Sequence, residues 1–435
     1  MSTFDEILPK LTKIFQPFQE DVTKTKPILV NRDLNGRVRL IVDEKWKGDK
    51  HQQVVLDNIA RQIHEGIGFH AYPAAQAVLF EPDIDDFLKR ESCFLLEGIS
   101  DVFVIDRLAV EGNWSRISRL TSSVSRTVFF SIKGGVGRST ALAATAWALA
   151  EQGKKVLVLD LDLESPGLSS ALLPEDRRPF YGITDWLVED LVNNGAVVFE
   201  NMVATSALSH NGEILVVPAH GANPGEYIAK LGRVWMPRLD TEGKRESWSD
   251  RLRRLLDDLE GRWQPDVTLI DSRAGIDEVA SACITELSAS TILLFAIDGD
   301  QTWSGYRVLF QHWRKTGVVR DIRERLQIVG AMIPEIGTEE YVEGLLERAW
   351  DLFSEELYDE VPAGEVSGEE SVWSYDQFDG SAPHYPWSVK WHRSFAVLKS
   401  IHGRLKDIDN EMVRAIFGPL IDGMALSIET DGGSK

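Results

Sequence analysis

The sequence predicts an α/β protein, with a doubly wound domain built on a mostly parallel sheet and a smaller α+β domain before it. Three observations predict this. From Thr127 onward, the short apolar runs 128–131, 155–160, 213–217, 267–271, 292–297 and 327–332 are separated by stretches of helical character. Those runs are continuously apolar rather than alternating, as strands buried on both faces must be. At 435 residues, the chain also exceeds one ordinary domain and can bury two separate cores.

Taken in order, Phe4, Ile7, Leu8, Leu11, Ile14, Phe15 and Phe18 recur at helical spacing, and Thr3 with Glu6 has the form of a capping box. Pro9 fits such a helix within its first turns. The polar face mixes Asp5, Glu6, Lys10 and Lys13 without a basic excess, so the apolar stripe suits packing rather than a membrane surface. A strand at 37–42, a helix at 52–64, a strand at 77–80, a short helix at 84–89 and a strand at 101–110 complete an α+β domain over 1–120. The Ser/Thr-rich stretch 121–126 reads as a linker. The second domain then runs over 127–425, its first strand at 128–131 leading into a helix at 139–152, and 426–435 is expected to be a flexible tail.

Composition narrows the function classes. Apolar residues make up 43% of the chain and charged residues 26%, the balance of a soluble globular protein. With 47 basic and 68 acidic residues the formal charge is −21, which disfavours a general grip on nucleic acid or anionic membrane. The acid surplus is concentrated between Glu335 and Asp379, where Arg348 is the lone cation. That segment reads as a solvated face or as a docking segment for a basic partner. Cys93 and Cys283 show no C-x-x-C spacing, which excludes a cluster or zinc knuckle and fits a reducing cytoplasm. The histidines show no metal-ligand spacing, so no transition metal is expected. No apolar run approaches the ~18 residues of a membrane span. His384, Tyr385, Pro386 and Trp387, with Trp391, His392 and Arg393, form an aromatic-basic cluster suited to packing a C-terminal lobe rather than to stacking nucleic acid.

Phosphates require a dense array of backbone N–H donors at a helix N-terminus, with glycine wherever a side chain would block close approach. Ser131, Ile132, Lys133, Gly134, Gly135, Val136, Gly137, Arg138, Ser139 and Thr140 supply this between a strand and a helix, with Ser139 at the magnesium position. The common form of this phosphate-binding loop has glycine at 132 and lysine at 138; here Ile132 and Arg138 stand instead.

The segment resembles the deviant Walker A motif of the ParA/MinD family of P-loop ATPases, K-G-G-x-G-[KR]-[ST], with Lys133 as the signature lysine. Two further segments extend the resemblance. The run 156–162 ends in Asp160 and Asp162 like that family's D-x-D, and 269–276 resembles its Walker B and switch segment, with Asp271 at the strand end and Arg273 where proline is common. Met332 to Pro334 falls where the adenine-contacting loop begins.

The resemblance implies ATP and Mg2+ as ligands. Gly134, Gly135, Val136, Gly137, Arg138, Ser139 and Thr140 would cradle the phosphates. Ser139 would ligate magnesium directly and Asp271 through water, with Asp160 a further candidate ligand. Lys133 would reach the partner's phosphates in an ATP-dependent homodimer, and Asp162 would position the attacking water. The function so implied is a slow ATPase switch that positions or regulates a partner protein, engaged through residues 1–120 or the acidic 335–379 segment. Arg138, bulkier and forked where lysine is a point charge, leaves a second reading open: a non-hydrolysing nucleotide-binding scaffold or adaptor in a signalling or defence-type complex. The loop 298–305 lies at the carboxyl edge of the sheet, where it reads either as an ordinary loop or as a ligand or partner contact.

Overall fold

The structure is a computed structural model that describes residues 2–25, 27–90, 93–108, 112–239, 243–360, 372–395 and 410–433. They fall into two compact units, Met1–Val110 with Lys315–Gly317, and Glu111–Arg314 with Val318–Lys435. No described helix is long and apolar enough to cross a membrane.

The first unit is a mixed sheet of β1 (Ile28–Arg32), β2 (Val38–Asp43), β3 (Val78–Glu81), β4 (Cys93–Leu95) and β5 (Val102–Asp106), in the order β3-β2-β1-β5-β4. Helices α1 (Ile7–Phe15) and α2 (Lys50–Ile67) cover one face, where Ile7, Leu11, Phe15, Ile59 and Ile63 meet Val30, Leu40 and Val104. The N-terminal stripe is therefore core. Thr3 N–H donates to the Glu6 carboxylate at 3.0 Å, the reach-back half of a capping box. On the other face Leu29, Ile41 and Ile105 pack with Ile84 of α3 (Ile84–Arg90). Two of these strands, β1 and β4, were not legible in the sequence. In β1 the polar Asn31 and Arg32 are buried, and Arg32 Nε donates to Asp106 at 2.8 Å, which meets the demand that a buried charge be paired.

The second unit is an eight-stranded sheet in the order β15-β14-β13-β6-β12-β7-β9-β8. Its strands are β6 (Ser125–Ser131), β7 (Lys155–Asp160), β8 (Ala204–Thr205), β9 (Glu213–Val217), β12 (Val267–Asp271), β13 (Thr291–Ala296), β14 (Leu326–Ile333) and β15 (Trp387–Lys390), and a small separate hairpin pairs β10 (Arg238–Leu239) with β11 (Arg245–Glu246). Every pairing in the large sheet is parallel except β8 on β9. Successive residues of β6 serve opposite faces. Phe129 packs with α4 (Arg138–Glu151) and α8 (Asn410–Gly433), while Val128 and Phe130 pack with α5 (Trp248–Trp263), α6 (Asp300–Thr316) and α7 (Thr338–Glu356). This is the doubly wound arrangement that the continuous apolar runs require.

Three boundaries differ from those expected. The last two residues of the 121–126 linker belong to β6, because Arg126, polar in sequence, is 1% exposed and donates to Glu260 at 2.8 Å through Nε. Residues after 111 belong to the second unit rather than the first: Ser118 N–H donates to Thr285 at 2.7 Å, and the Trp313 indole donates to Trp114 at 2.9 Å. The segment 426–433, expected as a tail, continues helix α8, and Ile428 is buried in the core beneath it.

Candidate functional site

β6 lies centrally in the sheet and ends at Ser131, and α4 begins at Arg138, so residues 132–137 form a strand-to-helix turn at the carboxyl edge. Gly135 and Gly137 have φ of 76° and 83°, a left-handed backbone that favours glycine. A Cβ placed on Gly134 or Gly135 would meet nothing within 4 Å, so the loop faces open space suited to a phosphate chain. Ile132 turns the other way. A Cβ at Gly305 of α6 would lie 2.4 Å from Ile132 Cγ2; the isoleucine occupies room that the missing side chain of Gly305 provides.

Arg138 does not point into the loop. Its Nε donates to Asp271 Oδ1 at 2.8 Å, its Nη1 donates to Ser131 Oγ at 3.0 Å, and its Nη2 lies 3.6 Å from Asp162 Oδ2. The order β6-β12-β7 places these partners side by side, with Asp271 and Asp160 as direct Cα neighbours. Arg138 thus pairs with carboxylates at the end of β12 and just beyond β7 and with Ser131 at the end of β6, while it also lines the cavity over the loop. Burial, followed by the charge of Asp271, pushes the Asp160 carboxyl up to about 7. Asp160 Oδ2 accepts from Ser169 N–H at 3.1 Å and from its hydroxyl at 3.2 Å. Burial also raises Asp162 above the ordinary carboxylate range, against the pull of Arg138.

A cavity of about 580 Å3 runs across the loop, a size suited to a nucleotide. Gly134, Gly135, Val136, Gly137, Arg138, Ser139 and Thr140 line its middle. On the β12/β7 side the wall is polar, with Asp162, Ser165 and Arg273. On the β14/β15 side it carries Met332, Val389, Trp391, Phe395 and Phe417, together with the basic Lys390 and His392. Met332 sits at φ 56° beside a register shift between β14 and β15, and Trp391 N–H donates to the Ile333 carbonyl at 2.8 Å. Of the residues proposed from the sequence, the loop and Asp162 line this cavity. Asp160 and Asp271 are buried next to this lining, Asp271 in contact with Arg138, and Lys133 is exposed on the loop outside the lining.

Oxygens fit for a cation are present. Asp160 Oδ1 and Asp162 Oδ1 are buried without a hydrogen-bond partner, and the Ser139 side chain lines the cavity. Among the described residues no three His, Cys, Asp or Glu side chains converge on one point, so an ion here would be completed by phosphate oxygens and water, as magnesium accepts.

The aromatic wall was missed in the sequence. Its aromatic side chains come from the segment after β15 and from α8, and the aromatic-basic cluster supplies only Trp391 and His392 of it. The signal available was Trp387, whose ring would lie 2.5 Å from a Cβ on Gly423, but that pairing spans a segment with no sequence periodicity. Loop 298–305 stays outside the cavity. Asp298 and Asp300 pair with Arg348 of α7 at 3.1 and 2.8 Å, and Trp303 is buried.

Residues 127–414 match the family described as CobQ/CobB/MinD/ParA nucleotide binding domain. Among curated proteins, the chain is 42% identical over 55 residues to cytosolic Fe-S cluster assembly factor CFD1 of Yarrowia lipolytica, covering 13% of this chain and 19% of that protein. It is 49% identical over 47 residues to the iron-sulfur cluster carrier protein of Salmonella typhimurium, covering 11% of this chain and 13% of that protein. The chain therefore spans about a fifth or less of the curated relatives it matches. Among solved structures it is similar to Cyanthece apo McdA, with 15% identity, coverage of 70% of this chain and 99% of that one, and a TM-score of 0.42.

Proposed function

The chain belongs to the CobQ/CobB/MinD/ParA nucleotide-binding family, and on that premise we propose that it is an ATP- and magnesium-binding switch. With ATP bound it pairs with a second copy of itself and so positions or regulates a partner protein. The observation that carries this reading is the layout of the cavity, with Asp162, Ser165 and Arg273 on the β12/β7 side, the glycine loop in the middle, and aromatic residues flanked by Lys390 and His392 on the β14/β15 side. A triphosphate lies over Gly134–Thr140 with its terminal phosphate toward Asp162, and adenine lies against Met332 and Trp391. Ser139, and Asp271 through water, hold the magnesium that accompanies the nucleotide and offsets the phosphate charge, with Asp160 a further oxygen donor. Lys133, exposed on the loop, serves the second copy's phosphates. Asp162 orients the attacking water for slow hydrolysis. The partner-facing surfaces are residues 1–120 or the acidic 335–379 segment. Carriage of an iron-sulfur cluster is disfavoured, because Cys283 is buried and Cys93 lies in the first unit.

The test is nucleotide-dependent stabilisation and assembly. ATP with magnesium at a hundred times its dissociation constant stabilises the fold by ~2.7 kcal/mol, read as a rise in Tm. Light scattering should show the mass double. No stabilisation by any nucleotide would sink the reading.

One observation favours a second reading, a scaffold that holds ATP without turnover. Arg138 is committed to Asp271 and Ser131, which takes its charge away from the leaving oxygens. Steady-state phosphate release separates the two readings, and its absence in an ATP-bound dimer would favour the scaffold.

A further inference from the structure

We propose that Arg273 is the residue by which this site tells a nucleoside triphosphate from a diphosphate, an inference that rests on the nucleotide-binding reading above. The order of strands decides which end of the cavity meets the terminal phosphate. β6 carries the glycine loop, the β14/β15 side brings Met332, Trp391, Phe395 and Phe417 with Lys390 and His392 among them, and β12 and β7 bring polar loops on the other. A base fits the first side and phosphate oxygens the second. Arg273 lies on the second side, two residues beyond the end of β12, and lines the cavity beside Asp162 and Ser165.

Its present partners are weak ones. Arg273 Nη1 is 2.6 Å from Glu164 Oε2, and its Nε is 3.3 Å from Asp277 Oδ2. Arg273 and Glu164 are 35% and 41% exposed, and pairs so open to water contribute little. Asp277 Oδ2 has no hydrogen-bond partner, so that contact is one of charge alone. Arg138 cannot serve in its place, since Asp271 and Ser131 hold it. A terminal phosphate offers the planar guanidinium paired charge-assisted hydrogen bonds in a less hydrated site, and it outcompetes one exposed carboxylate. A diphosphate ends nearer the glycine loop and leaves Arg273 on Glu164. The arginine therefore reads the number of phosphates and, by leaving Glu164, unties the loop after β7 from the loop after β12.

The experiment is calorimetric titration of the full chain, with magnesium, against ADP and against a slowly hydrolysed ATP analogue. Arg273→Ala should weaken the triphosphate by ~10-fold to 100-fold, the loss expected for a hydrogen bond to a charged group, and leave ADP within about twofold. Glu164→Gln, which keeps the arginine and frees it, should strengthen the triphosphate selectively. Equal weakening of both ligands by Arg273→Ala, no effect on either, or weaker triphosphate binding in Glu164→Gln would overturn the assignment and leave the nucleotide-binding reading standing. If the wild type binds neither ligand, that reading fails and the assignment falls with it.

Discussion

Ile132 and Gly305 form a matched pair that only the three-dimensional structure reveals. In the sequence, Ile132 is an unexplained departure from glycine in a phosphate loop. The 2.4 Å approach to a Cβ at Gly305 explains how it is accommodated. Gly305→Ala should therefore destabilise the protein by ~1–3 kcal/mol through overpacking, and adding Ile132→Ala should recover much of the loss. A denaturant midpoint unchanged in the single variant would refute the pairing. Ser139→Ala addresses a different residue. If its hydroxyl ligates magnesium, the variant should bind nucleotide with much reduced dependence on magnesium, and an unchanged magnesium titration would remove that role. The strand-to-helix loop of Gly134 to Thr140 was legible because its glycine pattern is local. The partners of Arg138 were not, because 138, 162 and 271 meet only through strand order, and no spacing encodes which strands are neighbours.

Elements were legible in proportion to their burial on both faces. The strands β7, β9, β12 and β13 are short, continuous and apolar, and their positions follow from that pattern alone. β15 escaped because four residues containing Trp387 and Lys390 carry no alternation, and its register is supplied by β14. β1 escaped because Asn31 and Arg32 disguise a wholly buried strand. The segment leading into β15 is anchored by His384, which is 0% exposed and packs against Trp350, Phe353 and Tyr358. His384 Nε2 lies 3.0 Å from the Gln377 carbonyl, so it must donate, and Nδ1 accepts from the Tyr358 hydroxyl. Burial lowers its pKa below 6.5. The unfolded chain then binds the proton more readily, so this contribution to stability is complete above 6.5 and is lost as the pH falls through that value toward the folded one. His384→Gln should flatten the fall in Tm between about pH 7 and pH 5, and a parallel profile would show that His384 does not titrate as argued.

At the scale of the whole molecule the proposed switch makes a paired prediction. Lys133→Ala should keep nucleotide affinity and lose ATP-dependent assembly, because the glycine loop still cradles the phosphates while the exposed charge is gone. Asp162→Ala should do the reverse, accumulating an ATP-bound dimer with phosphate release reduced by ~10²-fold or more if the carboxylate acts as a positioned base. Light scattering and phosphate release together check both, and a wild type that stays monomeric with ATP would remove the switch. The cavity's two walls also come from distant parts of the chain. The glycine loop ends at Thr140, whereas Trp391, the first aromatic residue of the opposite wall, follows 391 − 140 = 251 residues later. On the ribosome the loop is therefore made long before the surface to which the proposed function assigns the base. On the proposed placing of the base, selectivity for it depends on side chains that follow the last strand of the sheet to be translated.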